Sequence, residues 1–216
     1  MAEKKEYVTY GQSSGCGCGC GCAATGASLA ITGCRFSLSV MSDKFIDVIL
    51  GALKKVDTGK VWQMTDKLST VYRGKQAHVE DAVMACFVHA FTPGVHMTME
   101  ATFSKGCPGD VDADVMMAAD DVLANAEGMK DIHFPVNCKI SLYPMGIPNY
   151  MEYIANVVNH AIDLGLYEKS SHYCTILSGD VHDLFDYFHW VNAYCGENLK
   201  HYIFEVTLSV NSPTAE

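Results

Sequence analysis

Four cysteines alternate with glycine at Cys16, Cys18, Cys20 and Cys22. Thiolates packed that closely could wrap a soft cation such as zinc or copper(I). Structural zinc sites set their cysteines further apart, so the tract departs from that pattern, and a flexible Gly/Ser/Cys-rich tail is its default reading. A metal-handling or redox role for the tract stays open as the alternative function. His78 with Asp81, and His182 with Asp183, could make acid–base pairs. At the start of a helix such residues more often cap and solvate it. Cys107 beside Asp110 has a nucleophile's side chain but no histidine close by in sequence to activate it. No phosphate-cradling P-loop, dinucleotide fingerprint, Gly-x-Ser-x-Gly elbow or His-Glu-x-x-His pattern occurs. These searches assign no catalytic residue and no metal ligand.

Composition narrows the partners. The chain has 216 residues, 49% hydrophobic and 19% charged, which excludes global disorder. Lys and Arg number 15 against 25 Asp and Glu, a formal charge of -10. An acidic chain without a basic run argues against a nucleic-acid backbone or an anionic membrane as partner. No stretch has the roughly 18 consecutive apolar residues that a membrane span needs. Met1-Ala-Glu-Lys-Lys-Glu6 leads into glycine and serine rather than an apolar run, so no secretory signal is expected and the expected location is cytoplasmic. The other six cysteines (Cys34, Cys86, Cys107, Cys138, Cys174 and Cys195) are scattered singly, as free thiols in a reduced cytosol would be.

The elements that must position these residues come from an internal repeat. Cys34-Arg-Phe-Ser-Leu-Ser-Val-Met41 reappears as Cys138-Lys-Ile-Ser-Leu-Tyr-Pro-Met145, and after one inserted residue the offset is 105 almost to the end. Thr70 then meets Thr175, Asp81 meets Asp186, and Glu100 meets Glu205. Residues 34–41 alternate as a half-buried strand. Residues 43–56 place Phe45, Ile46, Ile49 and Leu53 on one helical stripe behind a candidate N-cap, Ser42. Residues 60–65 and 67–73 read as strands, 77–91 as a second helix and 95–104 as a fourth strand. The second unit has strands near 137–144, 166–170, 172–178 and 200–209, with helices at 149–164 and 182–195. The fold class is therefore α+β, with two tandem ferredoxin-like βαββαβ repeats. The division is a tail over 1–30, repeat one over 31–105, an acidic connector over 106–135 and repeat two over 136–213. Within the connector, Met116–Asn125 could form a short helix.

In this topology the first and third strands of each unit are neighbours, which puts Leu38 beside Thr70 and Leu142 beside Thr175. A threonine flanked by apolar residues on a central strand needs a partner for its hydroxyl. That partner is local backbone or the polar edge of a ligand. Glu100 and Glu205 should share a face with Arg35 and Lys139, and a cross-strand ion pair is the expected use. Trp62 and Tyr167 also correspond and could stack on a flat heterocycle or serve the core.

Several of these runs together resemble the YkoF-type thiamine/hydroxymethylpyrimidine-binding family. They are Arg35-Phe-Ser-Leu38, Ala52-Leu-Lys-Lys-Val-Asp-Thr58 with Lys60-Val-Trp62, Ser69-Thr-Val-Tyr-Arg-Gly74, Thr102-Phe-Ser-Lys-Gly-Cys-Pro-Gly-Asp110, Ser141-Leu-Tyr-Pro-Met145 and Leu208-Ser-Val-Asn-Ser-Pro213. The resemblance spans about residues 34–213. It implies non-catalytic capture of thiamine or its hydroxymethylpyrimidine moiety, one site per repeat, a homodimer, and association with an uptake transporter for the precursor. Thiamine enters as ligand, and no cofactor is implied. It also implies ligand contacts at Leu38 and Thr70 in repeat one, and at Leu142 and Thr175 in repeat two. Two departures stand out. The Cys-Gly tract lies outside the family pattern, and Ser39-Val40 replaces the Tyr143-Pro144 of repeat two.

Overall fold

Strict alternation of buried and exposed residues shapes the strands of this protein, whose computed structural model describes residues 30–107 and 114–214. Thirteen elements follow in order: β1 (Thr32–Val40), α1 (Phe45–Leu53), β2 (Trp62–Thr65), β3 (Thr70–Gly74), α2 (Gln76–Ala90), β4 (Met97–Lys105), α3 (Ala126–Met129), β5 (Pro135–Pro144), α4 (Tyr150–Asp163), β6 (Tyr167–Ser171), β7 (Cys174–Asp180), α5 (Val181–Asn198) and β8 (Tyr202–Val210). Leaving out α3, these make two βαββαβ units, the tandem ferredoxin-like fold.

The units do not stay separate. Their strands form one eight-stranded antiparallel sheet in the order β2-β3-β1-β4-β8-β5-β7-β6. The join is the β4–β8 ladder, which runs from Met97 opposite Val210 to Lys105 opposite Tyr202. Ala101 faces Val206, its own counterpart in the other repeat, so a local two-fold axis passes through that pair. Helices cover one face, where Phe36, Met99, Phe103, Ile140, Phe204 and Leu208 are buried. The opposite face carries the alternate, largely polar residues of the same strands.

The central helix α2 is buried along nearly its whole length, against α1, α3, α5 and the sheet. Most of its polar groups are tied down, although His78 Nδ1 and Asp81 Oδ1 are buried without a hydrogen-bond partner. Asp81 accepts from the Asn125 backbone and side chain at 3.0 and 2.7 Å, and Asn125 also bonds both backbone groups of Asp57. Glu80 accepts from Asn192 at 2.8 Å and pairs with His189 at 2.6 Å, linking the two repeats. His78 bonds the Asp120 carbonyl at 2.9 Å.

Three expectations from the sequence are corrected here. Met116–Asn125 is not a helix; the short helix is Ala126–Met129. External partners hold that segment instead, since Lys60 and Lys75 pair with Asp120 and Asp121. Ser42 does not cap α1: its hydroxyl accepts from the Lys44 N–H, and the helix starts two residues later than predicted, with no side-chain cap. Nor is the α1 stripe fully covered. Phe45, Ile46 and Leu53 are exposed, Ile49 is half-buried against the core, and Ala52 is the buried residue of that helix. At the end of β4, Gly106 has φ +76°, and a Cβ there would lie 1.8 Å from the Lys200 carbonyl oxygen, so the turn out of repeat one accepts only glycine.

Candidate functional site

An antiparallel strand points the N–H and C=O of alternate residues to opposite edges. The Met41 N–H donates to the His96 carbonyl at 2.9 Å, which makes Val40–Met97, and by alternation Leu38–Met99, non-hydrogen-bonded pairs of the β1–β4 ladder. The peptide groups of Leu38 therefore point the other way, toward β3. The β1–β3 ladder, however, stops at Phe36 opposite Thr70. In repeat two the Met145 N–H donates to the His201 carbonyl at 3.0 Å, and the same alternation turns the Leu142 peptide groups toward β7. That ladder stops at Ile140 opposite Thr175. Each repeat thus has one leucine whose N–H and C=O face a strand edge that has run out.

The turns of the hairpins cause this. Ahead of β3, Leu68 would meet Leu38, but residues 66–69 curl back, and Asp66 takes the N–H groups of Leu68 and Ser69 at 2.8 and 3.0 Å. Ahead of β7, Tyr173 would meet Leu142, but it sits in the turn with φ 66°, and its carbonyl accepts from Ser141 Oγ at 3.1 Å. The register also corrects the expected pairing. Thr70 stands opposite Phe36 and Thr175 opposite Ile140, so each threonine lies diagonal to its leucine. By their registers, Leu38, Thr70, Leu142 and Thr175 all share the helix-covered face.

Repeat two opens a cleft of about 730 Å³ at this edge. Leu142 and Thr175 line it with Tyr150, Ile154, Val157 and Val158 of α4. The Thr175 hydroxyl makes no hydrogen bond to another described residue. In repeat one the Thr70 hydroxyl is already bonded to Thr65 Oγ1 at 2.9 Å. The hairpin there is clamped from below: Arg35 donates to Asp66 at 2.9 Å and to Ser69 Oγ at 2.6 Å. That guanidinium, with the two N–H donors of the turn, holds the Asp66 carboxyl down at about 2. Arg35 is the residue expected to pair with Glu100, and its partner is Asp66 instead.

Other candidates offer less chemistry. Glu100, Lys139 and Glu205 do converge on the open face, in a second cleft of about 370 Å³, where Tyr143 Oη donates to Glu205 at 3.3 Å. Trp62 and Tyr167 each open an outer strand; the Tyr167 hydroxyl accepts from the Ser170 N–H at 2.8 Å. His78 and Asp81 do not pair with each other, and His182 bonds the Ile132 carbonyl at 3.2 Å rather than Asp183. Burial pushes the thiols of Cys86 and Cys195 up to about 11 and about 12, and those of Cys34 and Cys138 up as well, so they are poor nucleophiles. Cys107 is exposed; Asp110 and the tract Cys16–Cys22 lie outside the described residues. Among the described residues no helix is long and apolar enough to cross a membrane. The α4 wall and the early end of the hairpin ladder are the parts of the site that sequence reasoning missed. The apolar spacing of Ile154, Val157 and Val158 was the available signal for the wall.

Fold and edge together define a tandem ferredoxin-like protein with a ligand-sized cleft where a sheet ladder ends. The profile of the YKOF-related family matches residues 31–110 and 135–215, and the chain belongs to that family. It is 41% identical over 184 residues to the Bacillus subtilis (strain 168) protein named "Putative HMP/thiamine-binding protein YkoF", an alignment covering 85% of this chain and 92% of the relative.

Proposed function

We propose that this protein binds thiamine or its hydroxymethylpyrimidine moiety without transforming it, at one site per repeat, in a cytoplasmic homodimer that serves uptake or salvage of the vitamin precursor through a transporter. The observation that carries the reading is the edge at Leu142: a free strand N–H and C=O beside an uncommitted threonine hydroxyl, inside an apolar cleft. An aminopyrimidine offers ring-nitrogen acceptors next to an amino donor, the complement of a strand edge. Ile154 and Val158 supply apolar surface for the flat ring. The name of the Bacillus relative supports the same ligand class.

Binding without turnover is favoured because the edge presents peptide groups and a hydroxyl, and no histidine, carboxylate or lysine lines the cleft. Calorimetric titration with thiamine and with hydroxymethylpyrimidine tests it, with the ligand recovered afterwards for mass spectrometry. Saturation at two ligands per chain with unchanged ligand mass is the expected result. Failure of both compounds to bind would overturn the ligand assignment, and a changed mass would make the protein an enzyme.

A further inference from the structure

Away from the strand edges, three side chains meet where the connector re-enters the sheet. His133 stands just before β5, Asp180 is the N-cap of α5 and His182 lies in its first turn. One ligand atom from each lies within 4.8 Å of the others, and the two imidazole rings are 4.6 Å apart. His133 Nε2 sits 3.1 Å from the Lys130 carbonyl, and His182 Nε2 sits 3.2 Å from the Ile132 carbonyl. A carbonyl can only accept, so each Nε2 carries a hydrogen and each neutral ring keeps its lone pair at Nδ1. Backbone carbonyls fix ring and tautomer in this way for histidines that hold metals.

The Nδ1 of His133 lies 3.0 Å from Asp180 Oδ1. In the neutral ring two lone pairs face each other at that distance, and a cation must sit between them: a proton, or a metal ion. Asp180 Oδ1 is itself held by the His182 N–H at 3.0 Å.

We propose that His133 Nδ1, His182 Nδ1 and the Asp180 carboxylate form a binding site for a divalent transition-metal ion of the zinc, cobalt or nickel class, with water as the remaining ligand. Two imidazoles and one carboxylate suit these ions, whereas calcium or magnesium would ask for more oxygens. Bonds of about 2.0–2.1 Å bring tetrahedral ligand atoms to about 3.3 Å of one another. His133 supplies the adjustment, because its side chain is 59% exposed and stands outside any helix or strand. The positive end of α5 opposes a cation there, and the Asp180 carboxylate offsets it. A bound ion would clasp the end of the connector to the start of α5, so its effect is on stability rather than on chemistry.

Cobalt(II) titration of the full-length chain separates this site from the cysteine tract. The variant carrying Cys→Ser at Cys16, Cys18, Cys20 and Cys22 should develop a visible ligand-field band without near-ultraviolet thiolate charge transfer, saturating at one ion per chain. His133→Gln and His182→Gln in that background should each abolish the band while keeping the native circular-dichroism spectrum. Zinc at a hundredfold excess over Kd should raise the Tm of the Cys→Ser protein by about 5 °C or more, and of neither histidine variant. No visible band in the Cys→Ser protein, or a band that survives both histidine substitutions, would overturn the proposal and leave a plain imidazolium–carboxylate pair.

Discussion

The two repeats share a backbone and differ in what surrounds it. Both end their first-to-third strand ladder at the same place, so both expose one leucine's peptide groups. In repeat two α4 runs 14 residues and roofs a cleft; in repeat one α1 runs nine and leaves Phe45, Ile46 and Leu50 exposed. Thr175 keeps its hydroxyl uncommitted, whereas Thr70 gives its own to Thr65. A single guanidinium nitrogen of Arg35, Nη1, donates to both Asp66 and Ser69, and the matching residue of repeat two is Lys139. The helix interface is asymmetric too. Glu80 pairs with His189 and Asn192, while the positions matching Glu80 and His189 are the apolar Phe185 and Met84, which line the same cleft. Duplication preserves main-chain geometry, because topology imposes it, and leaves affinity to side chains that drift independently.

The comparison breaks most sharply at the roof of the repeat-two cleft. Val158→Trp puts an indole into that space from a partly exposed position. Stoichiometry should fall from two ligands per chain to one, with Tm nearly unchanged; a titration that still reaches two would place the second site elsewhere. A smaller effect comes from Thr175→Val, which keeps shape and removes one hydrogen bond, about 0.5–1.5 kcal/mol. That is roughly a two- to twelvefold loss of affinity at repeat two alone. Thr70→Val should cost less than about twofold at repeat one, since that hydroxyl already has a partner in Thr65. Equal losses at the two threonines, read by calorimetry on the single variants, would erase the distinction between the repeats.

The order of strands and helices was legible because the repeat doubled every weak signal: Phe36 and Ile140, or Thr70 and Thr175, each occur at one place in a common frame. Alternation also told which residues of β1, β4, β5 and β8 turn inward. Register was not legible, since a period of two fixes the face and says nothing about which residue stands opposite. The end of each ladder depends on hairpin turns, where Asp66 and Tyr173 divert the chain. Shared face pairs Arg35 with Glu100, but Asp66 reaches it from the turn. The α1 stripe had the right period for a buried helix, and periodicity alone does not say what covers it. The connector failed for a related reason: Lys60, Lys75 and Asn125 hold it through contacts between residues far apart in the chain.

The asymmetric helix interface shows in stability rather than in affinity. His189 on α5 donates to the buried Glu80 of α2, and that hydrogen bond raises its pKa above the ordinary 6.5, with the nearby Asp186 adding to the rise. A histidine whose pKa is raised by folding stabilises the native state fully below its unfolded value. That contribution is lost as pH rises through the folded value. Tm should therefore decline from just above pH 6.5 upward through this pair. His133 has a raised pKa through Asp180 and adds to the same slope, so the difference between wild type and His189→Gln isolates the interface. The imidazole is more than half exposed, which limits the pair to about 1 kcal/mol and the Tm difference to about 2–4 °C. Thermal melts of both proteins at several pH values make the measurement. A gap that widens below pH 6.5 and closes in alkali is the expected result; a gap constant across the range would mean that His189 contributes packing alone, and that the charge asymmetry between the repeats does not reach stability.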